Sequence, residues 1–159
     1  MKSTKSIKSG AKATPEDARI VLKLYDLRRE SEMRKARNYF VRDFNPRSAE
    51  DAMAVFANFG SQENAWMRQL IGYWEMAASL VLGGALNPEL FHGSNGEMYF
   101  VYAKLAPFIK QIRQTMDAPE FLSQVEAVIQ SSAAGRERAA TMQKRMARFA
   151  EMKAAAGKK

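Results

Sequence analysis

Few residues in this chain have the type and spacing to do chemistry. Glu89-Leu90-Phe91-His92 shows the Glu-x-x-His spacing by which carboxylate-bridged di-iron bundles hold metal, but those bundles carry the motif on two helices beside further glutamates. His92 is the single histidine of the chain. The second motif is therefore missing, no metal site is expected, and His92 next to Gly93 reads as a partly exposed turn residue. Glu75 lies within Tyr73-Trp74-Glu75-Met76-Ala77, inside the most apolar helical stretch. A lone ionised carboxylate there is costly unless it is paired or protonated. Gly72 and Ser79, three before and four after it, leave room on the same side for a neighbouring helix or an arginine. No second carboxylate or histidine accompanies it, so a structural ion pair is the expectation for Glu75 and a catalytic acid the weaker alternative.

The chain has no glycine-rich phosphate loop, no His-Glu-x-x-His and no Gly-x-Ser-x-Gly. With no cysteine, disulfides, thiolate zinc sites, iron–sulfur clusters and thiol nucleophiles are excluded together, as suits a reducing compartment. No cofactor is expected and no small-molecule substrate is evident.

The clearest functional signal is the distribution of charge. The chain carries +8 overall. Lys2, Lys5, Lys8 and Lys12 meet no acid before Thr14, and from Arg136 onward eight cations face only Glu137 and Glu151. The ends thus hold +4 and +6, leaving the middle at −2. The carboxyl-terminal segment reads as a basic amphipathic helix. Ala139, Met142, Met146, Phe149 and Met152 form one stripe, flanked by Arg136, Arg138, Lys144, Arg145 and Arg148.

Such a helix seats on a partner protein, an acidic membrane surface or nucleic-acid phosphate, and a methionine-rich stripe adapts to any of them. It equally suits packing on the chain's own bundle, with the charges solvated. Lysine-rich arms add affinity for polyanions through counterion release, or serve only as solubilising tails. Phe149 is the one aromatic residue in either tail, so base-specific reading of single strands is not indicated.

The elements that must position these residues are helices. Thr14-Pro15-Glu16-Asp17 combines a capping hydroxyl, a proline at the first helical position and acids facing the helix dipole. The apolar spacing from Ile20 to Phe40 predicts one long amphipathic helix over about 15–42, supported by Glu30–Arg34 and Arg28–Glu32 pairs. Asn45-Pro46 breaks it. Ser48 opens a short helix ending at Gly60, and Ser61 opens the most apolar helix, which Gly83-Gly84 ends and which belongs at the centre of the bundle. Asn87-Pro88-Glu89 begins a single turn through Phe91 that runs into the turn His92–Gly96.

The next helix carries Met98 to Ile112, with a kink near Ala103 caused by Pro107. Asp117-Ala118-Pro119-Glu120 opens another helix, and a final one follows Gly135. No segment reads as strand or as an internal repeat. The longest apolar stretch, Met76 to Leu86, is shorter than the roughly 20 residues a membrane span needs. No apolar run follows the amino-terminal lysines. A cytoplasmic location is the expectation.

Several segments together resemble a bacterial family of small helical domains of unknown function. They are Ala18-Arg19-Ile20-Val21-Leu22-Lys23-Leu24-Tyr25-Asp26-Leu27-Arg28-Arg29, Tyr73-Trp74-Glu75-Met76-Ala77, Gly84-Ala85-Leu86-Asn87-Pro88-Glu89-Leu90-Phe91 and Leu105-Ala106-Pro107-Phe108-Ile109. The resemblance runs from about Ala18 to Arg113, leaves both basic tails outside, and implies the fold without assigning catalytic residues. Some members of that family carry an amino-terminal membrane anchor, where this chain has its lysine arm.

The sequence thus predicts an all-α bundle of five to seven helices. A mobile basic arm over 1–13 precedes a bundle over 14–135, and a basic helix and tail over 136–159 follow. The expected role is non-enzymatic binding of an acidic macromolecule, whether nucleic acid, ribonucleoprotein or protein. A self-assembling scaffold with homo-oligomer contacts through Met142, Met146, Phe149 and Met152 is the second reading, and an enzyme using Glu75 the third.

Overall fold

The structure is a computed structural model that describes residues 10–156, apart from the side chain of Lys153. Among the described residues it is all-α, with no strand. The helices are α1 (Pro15–Arg29), α2 (Ser31–Arg42), α3 (Ala49–Ala57), α4 (Gln62–Leu82), α5 (Pro88–Ser94), α6 (Gly96–Leu105), α7 (Ile109–Thr115), α8 (Ser123–Gln130) and α9 (Ala133–Ala156).

Local chemistry sets most of the starts. Thr14 and Asp17 close a capping box: the Thr14 hydroxyl accepts the Asp17 amide at 3.2 Å, and the Asp17 carboxylate accepts the Thr14 amide at 2.7 Å. Ser48, Ser61 and Asn87 each accept the amide three residues on, at 3.2, 3.1 and 2.9 Å, and so begin α3, α4 and α5. Helix α4 occupies the centre as its composition predicts. Met67, Leu70, Trp74, Ala77 and Ala78 are essentially inaccessible, and α2, α3 and α8 pack around it. Each large apolar side chain buried in this way contributes roughly 1.5–3 kcal/mol relative to an exposed one. Helix α9 lies on α6 and α8, while α5 packs on α1 and α3 on α7.

Two of the expected helices are divided. The single helix over 15–42 breaks at Glu30, whose backbone is extended (φ −56°, ψ 146°) and whose carboxylate accepts the Met33 amide at 3.0 Å to cap α2. The Glu30–Arg34 and Arg28–Glu32 ion pairs do not form, because the break turns Arg28 inward toward Glu97. The helix through Pro107 does not kink at Ala103. It stops at Leu105 and restarts at Ile109, since proline has no amide to continue the ladder.

Three boundaries also move. Helix α5 runs on to Ser94, so His92 is helical. Helix α8 begins at Ser123 rather than at Asp117–Pro119, after a turn in which Asp117 and Leu122 hold left-handed backbone (φ 50° and 53°). Helix α9 starts at Ala133, two residues before Gly135.

Candidate functional site

Glu75 sits half-buried on α4 and faces the start of α8. Its carboxylate accepts the main-chain amides of Gln124 at 3.2 Å and Val125 at 2.9 Å. The expected ion pair is replaced by a cap contributed across the bundle: Leu122, at the N-cap position of α8, makes no capping bond of its own. Burial pushes the Glu75 carboxyl above its usual range, opposed by the two amides and by the positive charge of Arg113. Arg113 itself pairs with Glu126 at 2.8 Å. Neither cleft described below reaches Glu75.

The basic residues of α9 divide into a seated set and a free set. Arg136 donates to the Gln130 carbonyl at 2.6 Å. Arg138 donates to the His92 carbonyl, and its guanidinium lies 4.6 Å over the Tyr99 ring. Lys144, Arg145 and Arg148 are exposed and have no ion-pair partner among the described residues. The stripe divides in the same way. Ala139 is buried, Met142 packs against the core and Met146 is partly buried, whereas Phe149 and Met152 are 69% and 60% exposed. Lys12 is exposed, and Lys2, Lys5 and Lys8 lie outside the described residues.

Where the seated half of α9 meets α5 and α6, the side chains of His92, Tyr99 and Arg138 converge. The Tyr99 hydroxyl is 2.6 Å from His92 Nδ1. Burial pushes the Tyr99 phenol up, and the tautomer of the ring decides which of the hydroxyl and Nδ1 donates, leaving Nε2 as the second polar atom of the ring. That nitrogen is buried and has no partner among the described residues. Burial, and then the charge of Arg138, push the His92 imidazole down, so the ring is neutral near pH 7.

Two open clefts flank this cluster and share Tyr99 and Arg138. The first, about 440 Å³, is lined by Gly96, Glu137, Thr141 and Arg145 as well as the shared pair. The second, about 380 Å³, is lined by Glu89, His92, Ser131 and Ser132 with more apolar surroundings. The sequence offers Arg138 and Arg145 as polyanion-binding flanks of a basic helix and His92 as a turn residue once metal binding is set aside. Their convergence with Tyr99 has no sequence signature, because it joins three helices.

A second polar cluster ties α1, α2 and α6. Arg37 Nε donates to both Glu97 oxygens at 2.9 and 2.8 Å and its Nη2 donates at 2.5 Å, while Arg28 Nη1 approaches Glu97 to 3.9 Å. Arg28 also lies 5.5 Å over the Trp74 ring. The bidentate Arg37–Glu97 contact ties α2 to α6, while Arg28 Nε is buried without a hydrogen-bond partner among the described residues. Lys104 is enclosed by the rings of Phe40, Phe44 and Phe100 and donates to the Phe40 carbonyl at 2.5 Å in the last turn of α2. Burial pushes its amine down to about 8. Among the described residues no three carboxylate or histidine side chains gather as a metal would require, and no helix is long and apolar enough to cross a membrane.

A family model described as a domain of unknown function, DUF4760, matches residues 13–132. No match is found among curated proteins or among solved structures.

Proposed function

The chain belongs to the DUF4760 family, whose function is unknown, and from that premise we propose that it is a non-enzymatic interaction module whose carboxyl-terminal helix docks on an acidic protein. The observation that carries this reading is the division of α9. Its first half is seated on α6 and α8, and its second half presents exposed Phe149 and Met152 between the unpaired cations Lys144, Arg145 and Arg148. A helix with an apolar stripe and basic flanks suits an apolar groove rimmed by acids. Phosphate backbones would use the cations but have no use for Phe149 and Met152, which favours a protein over nucleic acid. The lysines of the amino-terminal arm add long-range attraction to the same kind of partner. The cysteine-free composition is in keeping with the cytoplasm as the setting.

The test is size-exclusion chromatography with light scattering on protein purified from its native cells at low and high salt. It compares the wild type with Phe149→Asp and with the double variant Arg145→Glu, Arg148→Glu. A stoichiometric acidic protein that both variants lose, and that salt releases, supports the reading. Material removed by nuclease and insensitive to Phe149→Asp would replace it with nucleic-acid binding. A salt-resistant homo-oligomer broken by Phe149→Asp would replace it with self-assembly.

A further inference from the structure

The cleft on the Gly96 side of Arg138 has properties that a partner-docking helix does not need. Its volume of about 440 Å³ falls in the range of roughly 300–1,000 Å³ typical of small-ligand sites. Two of its three charged side chains are arginines. Arg138 is already held in place, stacked 4.6 Å over Tyr99, anchored through one Nη to the His92 carbonyl and within hydrogen-bond reach of the Tyr99 side chain. A guanidinium held in this way has little rotamer freedom left to lose when an anion binds. Arg145, two turns along the same helix, has no ion-pair partner among the described residues although Glu137 lines the same cleft. Thr141 lies between the two arginines in sequence and supplies a hydroxyl to the lining.

We infer that this cleft binds a small phosphomonoester carried on a hydroxylated body, of sugar-phosphate size. The two guanidiniums and the Thr141 hydroxyl offer donors to several oxygens at once. That demand matches a tetrahedral dianion better than a planar carboxylate, and arginine forks are suited to phosphate. Glu137 is the one acidic side chain in the lining. It would repel a bare anion but accepts hydrogen bonds from hydroxyl groups, so it selects for the hydroxylated body. The amino end of α6 at Gly96 borders the cleft and adds to the positive field, but the arginine pair is what defines the site. This inference shares Arg145 with the partner-docking reading, whereas Arg138 and Thr141 belong to the cleft alone and Phe149 and Met152 to the docking face alone.

The experiment is isothermal titration of the full-length protein with ribose 5-phosphate, with ribose and inorganic phosphate as comparison ligands at matched ionic strength. Saturable binding is expected for ribose 5-phosphate, tighter than for either comparison ligand. Arg145→Gln and Thr141→Val should each weaken it, the arginine change by at least about tenfold, as the loss of a charge-assisted hydrogen bond implies. Both side chains are exposed, and neither forms an ion pair among the described residues, so the fold does not depend on them. Arg34→Gln removes an exposed charge from α2 and should leave binding unchanged. Absence of saturation in the millimolar range, equal binding by wild type and the two cleft variants, or equal weakening by Arg34→Gln would each overturn the inference. Thr141→Val touches only the cleft and Phe149→Asp only the docking face, so the two readings fail separately even though Arg145 serves both.

Discussion

The main-chain amide of Val125 donates to the carboxylate of Glu75 at 2.9 Å, so a side chain of α4 caps the amino end of α8. Leu122, just before α8, is fully buried and holds left-handed backbone at φ 53°, a conformation costing a bulky residue of order 1–3 kcal/mol. The grip of Glu75 on the next residues helps hold it there. Replacing Glu75 by alanine should therefore cost about 2 kcal/mol, and by glutamine about 1 kcal/mol, since the amide side chain still accepts but without charge. Urea midpoints at constant m-value measure both. A loss below about 0.5 kcal/mol for the alanine variant would mean that α8 does not need this cap.

Asp17 joins two helix starts. One oxygen serves Thr14 within the capping box, while the other accepts the Asn87 amide at 2.7 Å at the head of α5. The Thr14 side chain, then the Thr14 and Asn87 amides, hold the Asp17 carboxyl below its usual range. A lowered carboxyl contributes stability that is present above its unfolded value of 3.8 and is lost as pH falls below it. Asp17→Ala should accelerate hydrogen exchange at Asn87 more than at α6 or α8, because only the α1–α5 junction opens. Uniform acceleration across the bundle would contradict this local role.

Acid should weaken the seat of α9. The His92 imidazole is pushed down, so the unfolded chain takes up its proton first. Stability is complete above the unfolded value of 6.5 and is lost as pH falls from there to the folded value. Protonation also places a second positive charge beside Arg138 and makes Nδ1 a donor, so that the Tyr99 hydroxyl must accept. The groups facing the ring or lining its cleft are Tyr99, Arg138 and Glu89. Urea midpoints should fall between pH 7 and pH 5 in the wild type, and His92→Gln should flatten that interval. A wild-type profile level over the same range would refute the assignment.

Glu97 answers to two arginines, with its side chain 18% exposed. Glu97→Gln leaves Arg37 and Arg28 facing each other without a counter-charge and should cost about 2 kcal/mol, less than a fully buried pair would lose. The double variant Arg37→Met, Glu97→Leu should recover part of that loss. Thermal unfolding of the wild type, Arg37→Met, Glu97→Leu and the double variant measures the coupling between Arg37 and Glu97, and additive losses would show that there is none.

Gly135 is required by close approach. A Cβ there would stand 2.4 Å from the Ile129 carbonyl oxygen, a main-chain atom that cannot move aside cheaply. Gly135→Ala should therefore destabilise by about 1–3 kcal/mol although alanine is the better helix former. A gain in melting temperature would show that the turn between α8 and α9 yields more readily than this spacing implies.

The features legible in the sequence are those whose cause lies within a few residues. The caps at Thr14, Ser48, Ser61 and Asn87 are donor and acceptor pairs three residues apart, and the central place of α4 follows from apolar side chains that cover more than one face. What tertiary structure decided depends on partners distant in the chain. Helix continuity through Glu30 was favoured by spacing, yet Arg28 turns inward to Glu97 and Trp74 on other helices. Glu75 announced a need for a partner without saying which, because its partners are main-chain amides that every residue type carries.

The stripe from Ala139 to Met152 reads the same along its whole length. Only the extent of α6 and α8 beneath it determines that Met142 is covered and Phe149 is not. The meeting of His92, Tyr99 and Arg138 is likewise a product of packing. Periodicity specifies which face of each helix is buried, but the faces that meet, and the clefts left between them, are set by how the finished helices stack.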